Sequence, residues 1–120
     1  MVRALTDGAI RYEHPLKQYT SFKVGGCADV FAEPSDLFQL QEVLRYGNDS
    51  GLNISVLGKG CNILISDNGV RGLVVHLSGK FFNRIEQRNP EVIVGAGGAS
   101  LPGLICQAAR WGLEGLEPLV

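Results

Sequence analysis

Apolar and polar positions alternate in short blocks along this chain, and each block predicts an element. Ala28-Asp-Val-Phe-Ala32 is short and β-prone and stops at Pro34, which predicts a strand. Leu37, Leu40, Leu44 and Gly47 then recur at helical spacing, with Gln39, Glu42 and Arg45 left for solvent. Ser35 is the expected N-cap of that helix, with Asp36 in its first turn and Gly51 at its C-terminal cap. Asn53–Leu57 and Leu73–Leu77 are expected strands, and Asp67-Asn68-Gly69 is a turn between them. Residues 78–90 form a polar connection with a weak strand near Asn83–Glu86, followed by a strand over Glu91–Gly95. Ser100 caps a second helix whose apolar face carries Leu101, Leu104, Ile105, Ala108 and Trp111, with Gly112 closing it. Residues 1–18 show no clear period, are interrupted by Pro15, and predict a lead-in arm.

Strand, helix and strand in that order, with more strands and a helix behind them, predict an α+β or α/β domain. The strands near 28–32, 53–57 and 73–77 are expected to run parallel through a right-handed crossover, with the 35–50 helix packed on them. The expected division is an arm over 1–18, a first subdomain over 19–79, and the start of a second over 80–120. The last stretch, Gly112–Val120, ends on apolar residues, which predicts that the chain stops inside a larger fold.

Composition narrows the function classes. With 45% hydrophobic and 19% charged residues the chain is not a disordered one. Eleven basic against 12 acidic residues, for a net charge of -1, leave no excess to hold nucleic acid or an anionic membrane surface. No 18-residue apolar run predicts a membrane span, and the first residues carry no signal peptide. Cys27, Cys61 and Cys106 form no CxxC, and His14 and His76 are far apart. That pattern argues against a disulfide framework and a zinc site, and fits the reducing cytoplasm best.

Glycine is the outlier, at 16 of 120 residues, against a usual share of about 7%. The most informative cluster is Val56-Leu57-Gly58-Lys59-Gly60-Cys61-Asn62, at the end of an expected strand. Two glycines let the backbone turn sharply, and the amides released from the ladder point outward together. Such a nest suits a phosphate, to which Lys59 adds a positive charge; a plain strand-to-strand turn fits the same spacing equally well. Gly95-Ala96-Gly97-Gly98 is a second strand-end cluster, either a turn feeding the helix or a second wall of the same site.

Known phosphate patterns do not apply. A P-loop needs Ser or Thr after its Gly-Lys, and here Gly60 follows Lys59; the Rossmann spacing needs glycine at 100, which is Ser100. His76 is expected to be an ordinary surface or hydrogen-bonded histidine facing away from Leu73, Val75 and Leu77. Cys27 and Cys106 are expected to be small buried hydrophobes, and Trp111 to lie in the core. Cys61 sits in the glycine loop, where amides lower a thiol pKa, but no base is evident beside it. No carboxylate pair has catalytic spacing.

Five ordered blocks carry a resemblance. Thr20-Ser21-Phe22-Lys23-Val24-Gly25-Gly26 with Ala28-Asp29 and Glu33-Pro34 is similar to the opening of the bacterial UDP-N-acetylenolpyruvoylglucosamine reductase family. Val56–Leu64 resembles that family's Leu-Gly-Gly-Gly-Ser-Asn-Leu-Leu loop, and Gly69-Val-Arg-Gly-Leu73 follows as it should. Val94-Gly-Ala-Gly97 and Gly112-Leu-Glu-Gly-Leu-Glu117 resemble its later signatures, so the likeness runs from about Tyr19 to Val120. The resemblance implies the N-terminal part of an FAD-binding fold of the vanillyl-alcohol oxidase and p-cresol methylhydroxylase type. It implies a non-covalent FAD reduced by NADPH, and a UDP-sugar substrate whose enolpyruvyl group accepts hydride to give UDP-N-acetylmuramate in peptidoglycan synthesis. Leu57, Gly58, Lys59, Gly60, Cys61 and Asn62 would hold the FAD pyrophosphate, with Gly97 beside it. The chain departs from the family at Tyr19, where asparagine is usual, at Lys59, usually glycine, and at Cys61, usually serine. The family's catalytic arginine, serine and glutamate fall beyond Val120, so no catalytic residue is assigned. The other function class consistent with these residues is a stand-alone flavin- or nucleotide-binding module without chemistry of its own.

Overall fold

A computed structural model describes residues 10–60 and 63–116. Strands β1 (Ile10–Pro15), β2 (Cys27–Ala32), β3 (Ile54–Leu57) and β4 (Val70–His76) form one sheet in the order β1-β2-β4-β3. Strands β5 (Ile85–Asn89) and β6 (Val92–Gly95) form a separate antiparallel pair. Helix α1 (Leu37–Asp49) connects β2 to β3, α2 (Gly79–Phe82) is a single turn after β4, and α3 (Leu101–Arg110) follows β6.

The parallel core is the expected one. Strand β4 runs parallel to both β2 and β3, and its Leu73, Val74 and Val75 are all buried, as are Phe31 and Ala32 of β2. Consecutive apolar residues belong on strands covered on both faces. On one face Val30, Ala32, Leu73 and Val75 meet Val43 of α1, flanked by Leu40, Tyr46 and Leu52. On the other, Phe31, Val74 and Leu57 meet Leu16 and Ala28, with Tyr19, Ile65 and Val70 packed around them. Each such large side chain contributes about 1.5–3 kcal/mol by leaving water.

Several expectations need correction. The segment 1–18 contains a true strand: β1 pairs antiparallel with β2, with Tyr12 opposite Val30 and His14 opposite Ala28. Its Arg-Tyr-Glu-His sequence hides it, because an edge strand tolerates polar residues on both faces. Strand β4 begins three residues earlier than expected, since Gly72, at φ +93°, does not look like a strand residue. Strand β5 is longer and later than the weak strand expected near 83–86, and α2 was not expected at all.

Helix α1 is capped by Asp36 rather than Ser35: the Asp36 carboxylate accepts the Gln39 N–H at 2.8 Å. Ser35 instead donates its N–H and its hydroxyl to the Gln39 side-chain oxygen, each at 2.9 Å. The inward face is rotated from the expected one, keeping Leu40 and Gly47 and adding Val43 and Tyr46. Val43 and Gly47 are its buried residues, while Leu37 is 53% exposed. Gly47 selects that face, because Leu73 and Ile54 approach the helix so closely that a Cβ there would stand 2.8 Å from Leu73 Cδ2.

Helix α3 is capped as expected, with Ser100 Oγ accepting the Gly103 N–H at 3.1 Å. Its Leu104 lies over Gly95 and its Ala108 is buried. Leu101 is exposed, however, and Trp111 is half-buried rather than in the core. Cys106 is exposed and Cys27 half-buried, against the expectation that both are buried. For α3 the contacts are with the β5–β6 pair, Leu104 on Gly95 and Gly103 near Ile85, which leaves much of the helix in water.

Candidate functional site

Parallel strands β2, β4 and β3 end on the same edge, and the loops that follow them lie together there, the usual position of a ligand site in such sheets. Leu57 closes β3 as a buried residue, its carbonyl accepting the Leu77 N–H at 2.8 Å. The chain then turns through Gly58-Lys59-Gly60.

Each glycine has its own reason. Gly58 touches the second glycine cluster: a Cβ at Gly58 would stand 2.7 Å from the Gly97 carbonyl oxygen. Gly60 is buried at φ +71°, and a Cβ there would collide with the Tyr19 carbonyl. The Gly60 carbonyl accepts the Ser21 N–H at 3.1 Å, which ties the 19–26 segment to the loop. Gly97 rests on the Leu77 side chain, where a Cβ would meet Cδ1 at 2.8 Å, and the Gly98 N–H donates to the Phe82 carbonyl at 2.7 Å.

The two strand-end clusters singled out in the sequence are therefore two sides of one place. Of the residues named there, Leu57, Gly58, Lys59, Gly60 and Gly97 meet; Cys61 and Asn62 lie outside the described residues. Among the described residues, no hydrogen bond uses the N–H of Gly58, Lys59 or Gly97. Lys59 is exposed and makes no ion pair with a described residue. Open amides beside a lysine ammonium attract an anion, and bare glycine backbone lets one approach.

A second constellation escaped the sequence reading. Glu33, one residue past β2, accepts from His76 Nδ1 at 2.9 Å and from Ser78 Oγ at 3.1 Å through Oε2. Its Oε1 accepts from Arg11 Nη1 at 3.2 Å. Beside it, the Tyr19 ring stacks on Phe31 with centroids 4.8 Å apart and contacts His76 at the same distance. The Tyr19 hydroxyl lies 2.6 Å from His14 Nε2. Burial, and then the Arg11 charge, lower the His14 pKa, while Glu33 partly opposes them. Both effects favour the neutral ring, in which Nε2 can accept from the Tyr19 hydroxyl. Glu33 had looked only like the approach to a helix; nothing in the one-dimensional pattern linked it to residues 43 and 45 positions away.

Among the described residues, no group of three or more His, Cys, Asp or Glu could hold a metal ion, and no helix is long and apolar enough to cross a membrane.

An α+β fold with an amide cradle at the sheet's C-terminal edge is a nucleotide-cofactor-binding architecture. Residues 28–120 match the family model described as the FAD binding domain, and the chain belongs to that family. It is 47% identical over 110 residues to a UDP-N-acetylenolpyruvoylglucosamine reductase 2 of Symbiobacterium thermophilum, covering 92% of this chain and 35% of that protein. It is 38% identical over 109 residues to the UDP-N-acetylenolpyruvoylglucosamine reductase of Listeria monocytogenes, covering 91% of this chain and 36% of the relative. The crystal structure of UDP-N-acetylenolpyruvylglucosamine reductase from Thermus caldophilus superimposes with a TM-score of 0.67 at 36% identity, over 92% of this chain and 38% of that one. The chain spans about a third of the length of the curated relatives it matches.

The residues fit FAD. The N–H groups of Gly58, Lys59 and Gly97, without partners among the described residues, are donors a diphosphate can use, while the side-chain faces of Gly58, Gly60 and Gly97 pack against protein atoms.

Proposed function

We propose that this chain is the FAD-binding part of a cytoplasmic UDP-N-acetylenolpyruvoylglucosamine reductase. In that protein a bound flavin supplies hydride transfer from NADPH to the enolpyruvyl group of the UDP-sugar, yielding UDP-N-acetylmuramate for peptidoglycan. The part of this chain is to bind and orient. The Gly58, Lys59 and Gly97 amides would donate to the FAD pyrophosphate, and Cys61 and Asn62 are proposed to bind it too on the strength of the family resemblance. Leu57 and Leu77 form the apolar floor beneath, and Lys59 offsets diphosphate charge from solvent.

The observation that carries this reading is the meeting of Gly58 with Gly97 at the end of β3. It brings together two sequence blocks that both resemble the reductase family, with the Gly58, Lys59 and Gly97 amides unpartnered among the described residues. Titration of the protein with FAD, followed by quenching of flavin fluorescence, is the test: saturable one-to-one binding is expected. Residues 1–120 alone are expected not to form UDP-N-acetylmuramate when FAD, NADPH and the UDP-sugar are supplied, because the family's proton donor falls outside them; loss of a general acid costs about 10²–10⁴-fold. Turnover near that of a full-length relative would instead make this chain self-sufficient.

A further inference from the structure

We propose that Glu33 is a positioning residue for the glycine cradle: it sets the affinity for FAD by holding His76 and Ser78 in place, without itself touching the cofactor. The inference rests on the reading of the cradle as the FAD site. The two residues that Glu33 Oε2 holds, His76 at 2.9 Å and Ser78 at 3.1 Å, flank Leu77. Leu77 is the residue on which both walls depend. Its N–H reaches the Leu57 carbonyl at 2.8 Å, which fixes the end of β3 just before Gly58. Its side chain supports Gly97, and its carbonyl packs against Gly98 so closely that no Cβ fits there. Ser78 in turn leads into α2, whose Phe82 carbonyl receives the Gly98 N–H at 2.7 Å.

The same carboxylate also reaches the other loop. Arg11, bound to Oε1 at 3.2 Å, lies 3.5 Å from the Tyr19 hydroxyl, and the Tyr19 carbonyl packs against Gly60. Glu33 thus joins the ends of β1, β2 and β4 at one point, only a quarter exposed. Of its contacts, the one to the more exposed Arg11 adds little stability, while those to His76 and Ser78 are part-buried and fix geometry.

The two carboxylate oxygens do different work, which makes the idea separable from a charge effect. In Glu33→Gln the amide oxygen can keep His76 and Ser78, while the Arg11 hold alone is lost because the amide nitrogen and the guanidinium are both donors. In Glu33→Ala both holds are lost, and in Glu33→Asp the shorter side chain falls short of them. We expect the FAD dissociation constant to rise five-fold or more in Glu33→Ala and Glu33→Asp and to stay within two-fold in Glu33→Gln. Ser78→Ala should weaken FAD binding, Ser78→Thr should restore it, and the Glu33→Ala/Ser78→Ala double variant should be no worse than Glu33→Ala alone. Hydrogen exchange of the Gly98 amide in the FAD-free protein supplies an independent readout: Glu33→Ala should speed it more than ten-fold and leave the α1 amides unchanged. If Glu33→Ala does not fold, the Ser78 pair decides alone. Unchanged affinity and unchanged Gly98 exchange in the alanine variants would overturn the proposal, as would a Glu33→Gln protein as impaired as Glu33→Ala. A wild-type protein that binds no FAD would sink the functional reading, and the Gly98 exchange would still decide the role of Glu33.

Discussion

Gly58 lies so close to Gly97 that a Cβ on the first would stand 2.7 Å from the carbonyl oxygen of the second. Neither has a positive φ, so the demand is for space, whereas Gly60, at φ +71°, must also adopt a conformation that costs other residues about 1 kcal/mol or more. Gly58→Val is therefore expected to weaken FAD binding at least ten-fold and to lower the thermal midpoint, because the Gly97 backbone would have to shift. Gly60→Val should lower both, because its side chain would also strike the Tyr19 backbone. Lys59→Ala removes one exposed charge, worth about 1 kcal/mol or less, and should weaken FAD several-fold at most. Dissociation constants for the three variants decide; if Lys59→Ala is the most damaging, side-chain charge rather than bare backbone makes the site.

Residues that answer to local physics were legible in the sequence. The buried strands β2 and β4, the cap at Ser100 and the two glycine clusters all follow from nearest neighbours along the chain. What was hidden depends on distant partners. The inward face of α1 is chosen by how close Leu73 comes to Gly47, which no helical period reveals. Strand β1 exists because β2 offers it an edge. That Gly58 and Gly97 meet is set by Leu77, 19 and 20 positions from them, so the sequence could suggest a second wall without establishing it.

A part-buried hydrogen bond between the two central strands offers a stability test. The register between β2 and β4 slips between Ala28 and Val30, and the Gly72 N–H donates to the Asp29 carboxylate at 3.0 Å. Arg71 pairs with the same carboxylate at 3.4 Å but is two-thirds exposed. Asp29→Ala should cost about 1–3 kcal/mol in chemical denaturation, because it strands that amide. Arg71→Ala should cost about 0–1 kcal/mol, as exposed pairs do. Equal losses would show that the ion pair, not the amide, is what Asp29 serves.

The cap of α1 is equally checkable. Asp36→Ala removes the acceptor of the Gln39 N–H and should cost about 1 kcal/mol. Ser35→Ala leaves that bond intact and removes only a hydroxyl contact to the Gln39 side chain. A larger loss at Ser35 than at Asp36 would restore the cap to the position the sequence suggested.

The last prediction concerns pH. The pKa of His14 lies below its ordinary value of 6.5, first because burial disfavours the charged ring, next because Arg11 is near, with Glu33 opposing. The folded protein therefore binds this proton less readily than the unfolded chain does, and in the window below 6.5 the unfolded state carries more protons. Stability must rise with pH through that window. The contribution of His14 is complete above pH 6.5 and is lost as the pH falls through the lowered value. Its size is modest, because the ring is only partly buried and solvent screens it. The hydrogen bond that protonation breaks is the one from Tyr19 to Nε2, 2.6 Å long, so the stacking of Tyr19 on Phe31 should loosen with it. Denaturation midpoints measured between about pH 5.5 and 8, above the range where most carboxylates titrate, should decline toward the acid end. His14→Gln, which keeps an acceptor near Tyr19 but cannot titrate, should flatten that decline. A midpoint that rises on acidification, or an identical slope in His14→Gln, would mean that the proton is taken up elsewhere.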